Sequence, residues 1–224
     1  MNIELNASMM CADFGHLEDE IEMLQEAGVD SFHIDIMDGK FVDNFAMSLN
    51  DLDFIARAAA MPLDVHLMIE HPRVHIEKFI SKIRPGDTVY IHPESEYHPS
   101  TTLNKIIDAG MCPGIAINPC TSVESISEML HIAKKVLVMT VDPGESGKPY
   151  LPFVVDKITR LVDMKKSMRF KLYLDGACND NRILNYGYLG VDGFVVGTSL
   201  LFNGDRSYIE RIKAIRKTCG MVRP

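Results

Sequence analysis

SFHIDIMDGKFVDN, Ser31 to Asn44, is the stretch from which the rest of the chain can be read. Phe32, Ile34 and Ile36 alternate with His33, Asp35 and Met37, a period of two that specifies a strand. Asp38-Gly39 then supplies a turn signal. His33, Asp35 and Met37 share one face of that strand. A neutral imidazole and a carboxylate two positions apart, at the C-terminal end of a strand, can ligate one divalent cation. In isolation the same pattern describes the polar face of a half-buried strand, so its neighbours decide.

Working outward, strand-like runs recur at Ile3–Ser8, Leu63–Met68, Thr88–His92, Gly114–Asn118, Val136–Val141, Phe170–Asp175 and Gly193–Gly197. Amphipathic helical stretches separate most of them: Phe14–Ala27 with Asp13 as N-cap, Arg73–Ile83, Thr101–Ala109, Pro152–Lys165, Asn181–Leu189 and Arg206–Lys217. Thr121-Ser-Val-Glu124 has the form of a capping box, which predicts a further helix towards Ile132. Gly28, Gly110 and Gly190 each stand where a helix should stop before a strand. Eight strands alternating with helices predict parallel βαβ units closing into a TIM (β/α)8 barrel. With no linker or low-complexity segment, residues 1–224 are expected to form one domain.

The net charge of −8 argues against nonspecific nucleic-acid binding. It does not exclude an anionic ligand, which backbone amides and helix N-termini can hold. Five cysteines without framework spacing predict free thiols in a reducing cytoplasm. No apolar run is long enough to span a membrane, and MNIELNASMM lacks the regions of a signal peptide.

A barrel of this kind works at the C-terminal ends of its strands. There the second strand offers His33 and Asp35, the third His66 and the seventh Asp175. Individually these read as a satisfied core histidine or a capping carboxylate. Two histidines and two aspartates at one rim instead form a mixed nitrogen and oxygen set suited to Zn²⁺, Mn²⁺, Fe²⁺ or Co²⁺. The last three strand-to-helix loops carry glycine: Asp142–Gly147, Asp175-Gly176-Ala177 and Gly197-Thr198-Ser199. Successive glycine-bearing loops at this rim predict a phosphate nest. Met37, Met68 and Met139 fall at strand ends, where methionine is either core filler or a wall that keeps water from a reacting centre.

These motifs together resemble the ribulose-phosphate 3-epimerase family. HIDIMDGKFVDN, DVHLM, MTVDPGESGKPY, LDGACN and FVVGTSLLF look like its signatures after successive strands, between Ser8 and Phe202. The resemblance implies one divalent metal ion (Zn, Mn, Fe, Co or Mg) held by His33, Asp35, His66 and Asp175, with Asp35 and Asp175 as the acid/base pair. It also implies substrate contacts from Ser8 and His66, from Met37, Met68 and Met139, from Gly144, Glu145, Ser146 and Gly147, from Gly176 and Ala177, and from Gly197, Thr198 and Ser199. The expected reaction is inversion at C3 of a ketose phosphate. One carboxylate removes the proton and the other returns it on the opposite face, through a cis-enediolate that a Lewis acid stabilises. MTVDPG, His92-Pro-Glu94 and GTSLLFN look closer to the branch acting on D-allulose 6-phosphate, which makes conversion to D-fructose 6-phosphate the first expectation and D-ribulose 5-phosphate the alternative. The partners implied are a small-molecule ketose phosphate and other copies of the chain in a homo-oligomer, with no nucleic acid and no membrane.

Three positions depart from the family pattern: Glu145 and Asp43 add negative charge near the mouth, and Ala177 replaces a glycine or serine. A Schiff-base aldolase would need a lysine at a strand end, and none is there. A decarboxylase of the same barrel would carry DxKxxD where this chain reads DVHLMI. A non-catalytic sugar-phosphate-binding barrel would fit a broken ligand set, and all four ligands are intact.

Overall fold

A computed structural model describes residues 3–204 and 206–220. The extreme ends of the expected 1–224 domain and Asp205 lie outside these. Eight parallel strands form a closed barrel in sequence order: β1 (Glu4–Ser8), β2 (Ser31–Met37), β3 (Leu63–Met68), β4 (Thr88–Ile91), β5 (Cys112–Ile117), β6 (Lys135–Met139), β7 (Lys171–Asp175) and β8 (Gly193–Val196). Closure comes from β1 pairing with β8, Glu4 beside Gly193. The outer helices are α1 (Leu17–Ala27), α2 (Leu49–Ala58), α3 (Ile76–Ile80), α4 (Pro99–Asp108), α5 (Val155–Met164), α6 (Asp180–Leu189) and α7 (Tyr208–Thr218). Among the described residues no helix is long and apolar enough to cross a membrane.

Period-two alternation sorts each strand onto two buried faces. Outward-facing Leu5, Phe32, Ile34, Leu63, Val65 and their counterparts pack under the helices in one continuous apolar core. Inward-facing Tyr90, Ala116, Leu137, Met139, Tyr173 and Val195 fill the barrel itself. Hence all seven residues of β2 are buried, its polar residues included. A barrel of eight strands is a packed core, so its inward polar residues are desolvated as fully as its apolar ones. Gly114 has a packing reason: a Cβ there would lie 2.4 Å from Cδ1 of Tyr90.

Towards the N-terminal end of the barrel, polar groups neutralise one another. Asp64 accepts from Asn6 Nδ2 at 2.5 Å and from Lys135 Nζ at 2.9 Å, and Tyr173 donates to Glu4 at 2.7 Å. Burial alone would raise the Asp64 pKa, but the Lys135 and His33 charges outweigh it and leave it lowered.

Two helix expectations change. The expected helix from Thr121 is absent, and Glu124–Ile126 and Met129–His131 form only short 3-10 turns. Thr121 Oγ1 donates to Glu94 instead of capping, and Glu124 pairs with Arg160. Conversely α2, unassigned in the sequence, begins with a complete capping box between Ser48 and Asp51. The glycine stops hold: Gly28, Gly110 and Gly190 have φ of 83°, 79° and 118°.

Candidate active site

Strand register assembles the site. β2 and β3 align so that Asp35 lies beside His66 and Met37 beside Met68, while β1 sets Ser8 beside His33. Asp175, the last residue of β7, closes the group from the opposite side of the barrel. His33 Nε2 is 3.3 Å from His66 Nδ1, 3.4 Å from Asp35 Oδ1 and 3.8 Å from Asp175 Oδ2. His66 Nδ1 is 3.1 Å from Asp35 Oδ1 and 3.7 Å from Asp175 Oδ2. Donors bound to a tetrahedral ion at about 2.0–2.2 Å would be separated by about 3.3–3.6 Å along each edge. Two nitrogens and two oxygens thus lie close to that spacing, and the four residues can hold one cation.

The electrostatics agree. His33 is fully buried, which disfavours its charged form, yet the Asp35 charge and contact, with Asp175 and Asp64 behind, push its pKa up to about 9. Asp35 is equally buried, but His33 and His66 hold it well below the usual carboxylate range. Asp175 moves the other way, raised first by burial and then by the Asp35 charge against the pull of the two histidines. The two neighbouring carboxyl groups are thus driven apart in how readily they ionise. Ser8 Oγ donates to Asp35 Oδ2 at 3.0 Å and fixes its orientation.

Above this cluster opens a cavity. Ser8, Asp35 and Asp175 line its floor, with Met37, Met68 and Met139 on its walls. Its rim is formed by Gly144, Glu145, Ser146, Gly147, Gly176, Ala177, Gly197, Thr198 and Ser199. The residues expected to contact substrate thus converge on one space, except His66, which is fully buried behind Asp35. Two cross-links tie the rim together: Asn44 Nδ2 donates to Gly144 O at 2.7 Å, and the Ser146 and Thr198 hydroxyls meet at 3.0 Å. Glu145 is exposed, with its carboxylate 3.6 Å from Lys148 Nζ, so a cation stands beside the added charge.

Met10, Cys11, Lys148 and Val195 also line the cavity, and the pattern of strand ends did not single them out as site residues. Met10 and Cys11 arrive on a 3-10 turn directly after β1, where no periodicity assigns a direction. To one side of the cluster, His92 and Glu94 follow the C-terminal end of β4. Burial takes the His92 pKa down to about 4 against the pull of Glu94. Glu94 is lowered despite its own burial, by His92 and by bonds from Thr121 and Asn118.

Comparison with known proteins converges on one family. Residues 4–201 match the family model described as "Ribulose-phosphate 3 epimerase family". A ribulose-phosphate 3-epimerase of Methanocaldococcus jannaschii is 37% identical over 179 residues, which is 79% of this chain and 75% of that protein. One from Helicobacter pylori is 36% identical over 94% of this chain and 96% of its own length. Among solved structures, a thiamine phosphate pyrophosphorylase from Pyrococcus furiosus superposes with a TM-score of 0.64 at 14% identity, covering 98% of this chain and 96% of its own. A tryptophan synthase α-subunit from the same organism gives 0.66 at 12% identity, covering 99% and 98%. At such identities these two share the barrel and nothing finer.

Proposed function

The chain belongs to the ribulose-phosphate 3-epimerase family, and from that premise we propose that it is the isomerase interconverting D-ribulose 5-phosphate and D-xylulose 5-phosphate. The observation that carries the reading is the meeting of His33, His66, Asp35 and Asp175 at tetrahedral spacing under a cavity rimmed by glycine loops. D-Allulose 6-phosphate, the first expectation from sequence, draws no support from the named relatives, whereas the alternative does. One of the features that favoured it, His92-Pro-Glu94, lies outside the cavity lining.

In this reading Asp35 and Asp175 stand on opposite faces of C3. Asp35, ionised and oriented by Ser8, takes the proton on its side, and Asp175, the more readily protonated group, returns one from the other side. Roles exchange in the reverse reaction. Each carboxyl group contributes about 10²–10⁴-fold as a general acid or base. A divalent cation held by the four ligands would supply Lewis-acid stabilisation of the enediolate oxygens. Met37, Met68 and Met139 wall water away from the planar intermediate, which suppresses loss of the proton to bulk solvent. Amides of the Gly144–Gly147, Gly176–Ala177 and Gly197–Ser199 segments, with Lys148 nearby, receive the phosphate. The family resemblance extends the reading to a cytoplasmic homo-oligomer of 224-residue single-domain barrels, and sedimentation velocity tests the oligomer.

NMR in D₂O with separate samples of ribulose 5-phosphate and allulose 6-phosphate, each with added cation or with EDTA, tests the function. Deuterium at C3 of both the ketose and its epimer, fastest with ribulose 5-phosphate and lost after metal removal, is the expected result. A faster allulose sample would reassign the substrate, and no exchange in either would leave a binding role.

A further inference from the structure

Beside the four cation ligands, just past the C-terminal end of β4, a second set of buried groups continues from His66. His66 Nδ1 faces the cluster, while His66 Nε2 lies 2.8 Å from Nε2 of His92. Both rings are fully buried, and they meet edge to edge with centroids 5.0 Å apart and planes within 25° of each other. Nδ1 of His92 has no hydrogen-bond partner at ideal geometry, and Glu94 Oε2 lies 3.5 Å from it. Glu94 is in turn fixed from the next strand: its Oε1 accepts from Asn118 N at 2.8 Å and from Thr121 Oγ1. The Phe41 ring packs against His92, tilted by 48° with centroids 4.7 Å apart.

Proton assignment along this line has one consistent solution. An imidazole that gives its Nδ1 lone pair to a cation carries its proton on Nε2. Two facing Nε2 atoms at 2.8 Å need one donor and one acceptor, so His92 must accept there and carry its own proton on Nδ1. That proton then points at an anchored carboxylate. Reversing any member would set two donors or two bare lone pairs against each other inside a dry core.

We propose that His92 and Glu94 are positioning residues that lock His66 in its cation-binding tautomer and raise its affinity for the ion. The proposal rests on the reading that His66 is a cation ligand. Neither residue lines the cavity. Histidine ligands commonly donate their second nitrogen to such partners, whose loss costs about 10–100-fold in metal affinity. Here the carboxylate acts at one remove, through a second imidazole.

The test measures zinc affinity of the metal-free protein by competition with a chromophoric chelator, alongside the far-UV circular dichroism of each variant. His92→Phe keeps a ring but removes both nitrogens, and is expected to weaken zinc binding about 10–100-fold with the fold retained. His92→Gln, whose amide offers both an acceptor and a donor, should recover part of that loss. Glu94→Gln presents an amide N–H to His92 while keeping an oxygen for Asn118 and Thr121, so it should flip the His92 tautomer and weaken zinc as well. Nitrogen-15 NMR of the zinc-loaded parent reads the tautomer without any substitution: His92 should be protonated on Nδ1. A His92→Phe protein binding zinc within about twofold of the parent, or a parent His92 protonated on Nε2, would overturn the proposal. A parent that takes up no zinc would instead remove the metal reading, and the proposal with it.

Discussion

Asp35 and Asp175 carry the same carboxyl group in different environments. Two histidines and Ser8 surround Asp35, whereas burial and a neighbouring negative charge dominate Asp175. A two-base inversion requires both, so Asp35→Asn and Asp175→Asn should each lower kcat at least about 10³-fold, within the range expected of one general acid or base plus a lost cation ligand. Turnover near the parent rate in either variant would remove the two-base mechanism. Glu145 carries a different expectation. From sequence, its carboxylate should oppose the phosphate; in the structure it is exposed and faces Lys148. Glu145→Ala should therefore change KM by less than about twofold. Lys148→Ala, which removes a screened surface charge worth up to about 1 kcal/mol, should raise KM up to about fivefold and spare kcat. A KM unmoved by the lysine change would place the phosphate elsewhere.

At the scale of elements, the loop after β7 is built on one residue that has no substitute. Gly176 has φ +104°, and a Cβ there would stand 2.5 Å from Cγ2 of Val141. Gly176→Ala combines a strained backbone with overpacking, each worth about 1–2 kcal/mol, and should lower the unfolding free energy by about 2 kcal/mol or more in a urea titration. A loss under about 0.5 kcal/mol would show that the loop shifts freely and does not hold the phosphate amides rigidly. Elements of this kind were unevenly legible. All eight strands could be read because alternation and glycine stops are local signals, and the His33, Asp35, His66 and Asp175 cluster because polar residues on the inner faces of strands stand out against that alternation. The segment after β5 could not, since Thr121 makes its bond to Glu94, a residue 27 positions away. α2 escaped because only Leu52 and Ile55 of its ten residues are fully buried, too short an apolar stripe to stand out. The His66–His92 contact depends on β3 and β4 lying side by side, and no periodicity within either strand contains it.

For the whole molecule, the ligand cluster couples three strands remote in sequence, so its ionisation should appear in global stability. In metal-free protein the His33 pKa of about 9 stands above its ordinary 6.5. A raised histidine contributes stability that is fully present below the unfolded pKa and is lost as pH rises through the folded one. The metal-free protein should therefore lose stability between about pH 6.5 and 9, by at most about 3 kcal/mol, the attraction to Asp35 being counted once. Cation binding runs the opposite way, because it needs neutral His33 and displaces that proton; its affinity should rise towards tenfold per pH unit up to about pH 9. A ligand at 1,000 times its Kd adds about 4 kcal/mol, and for a chain of this size each kcal/mol shifts Tm by about 2–4 °C. Melting curves with cobalt and with EDTA at pH 6, 7.5 and 9 should consequently diverge, with Tm falling in EDTA and the gap widening towards about 8–16 °C. A gap constant with pH would mean that His33 is already neutral before the ion arrives, and that the carboxylates around it are balanced by something other than its charge.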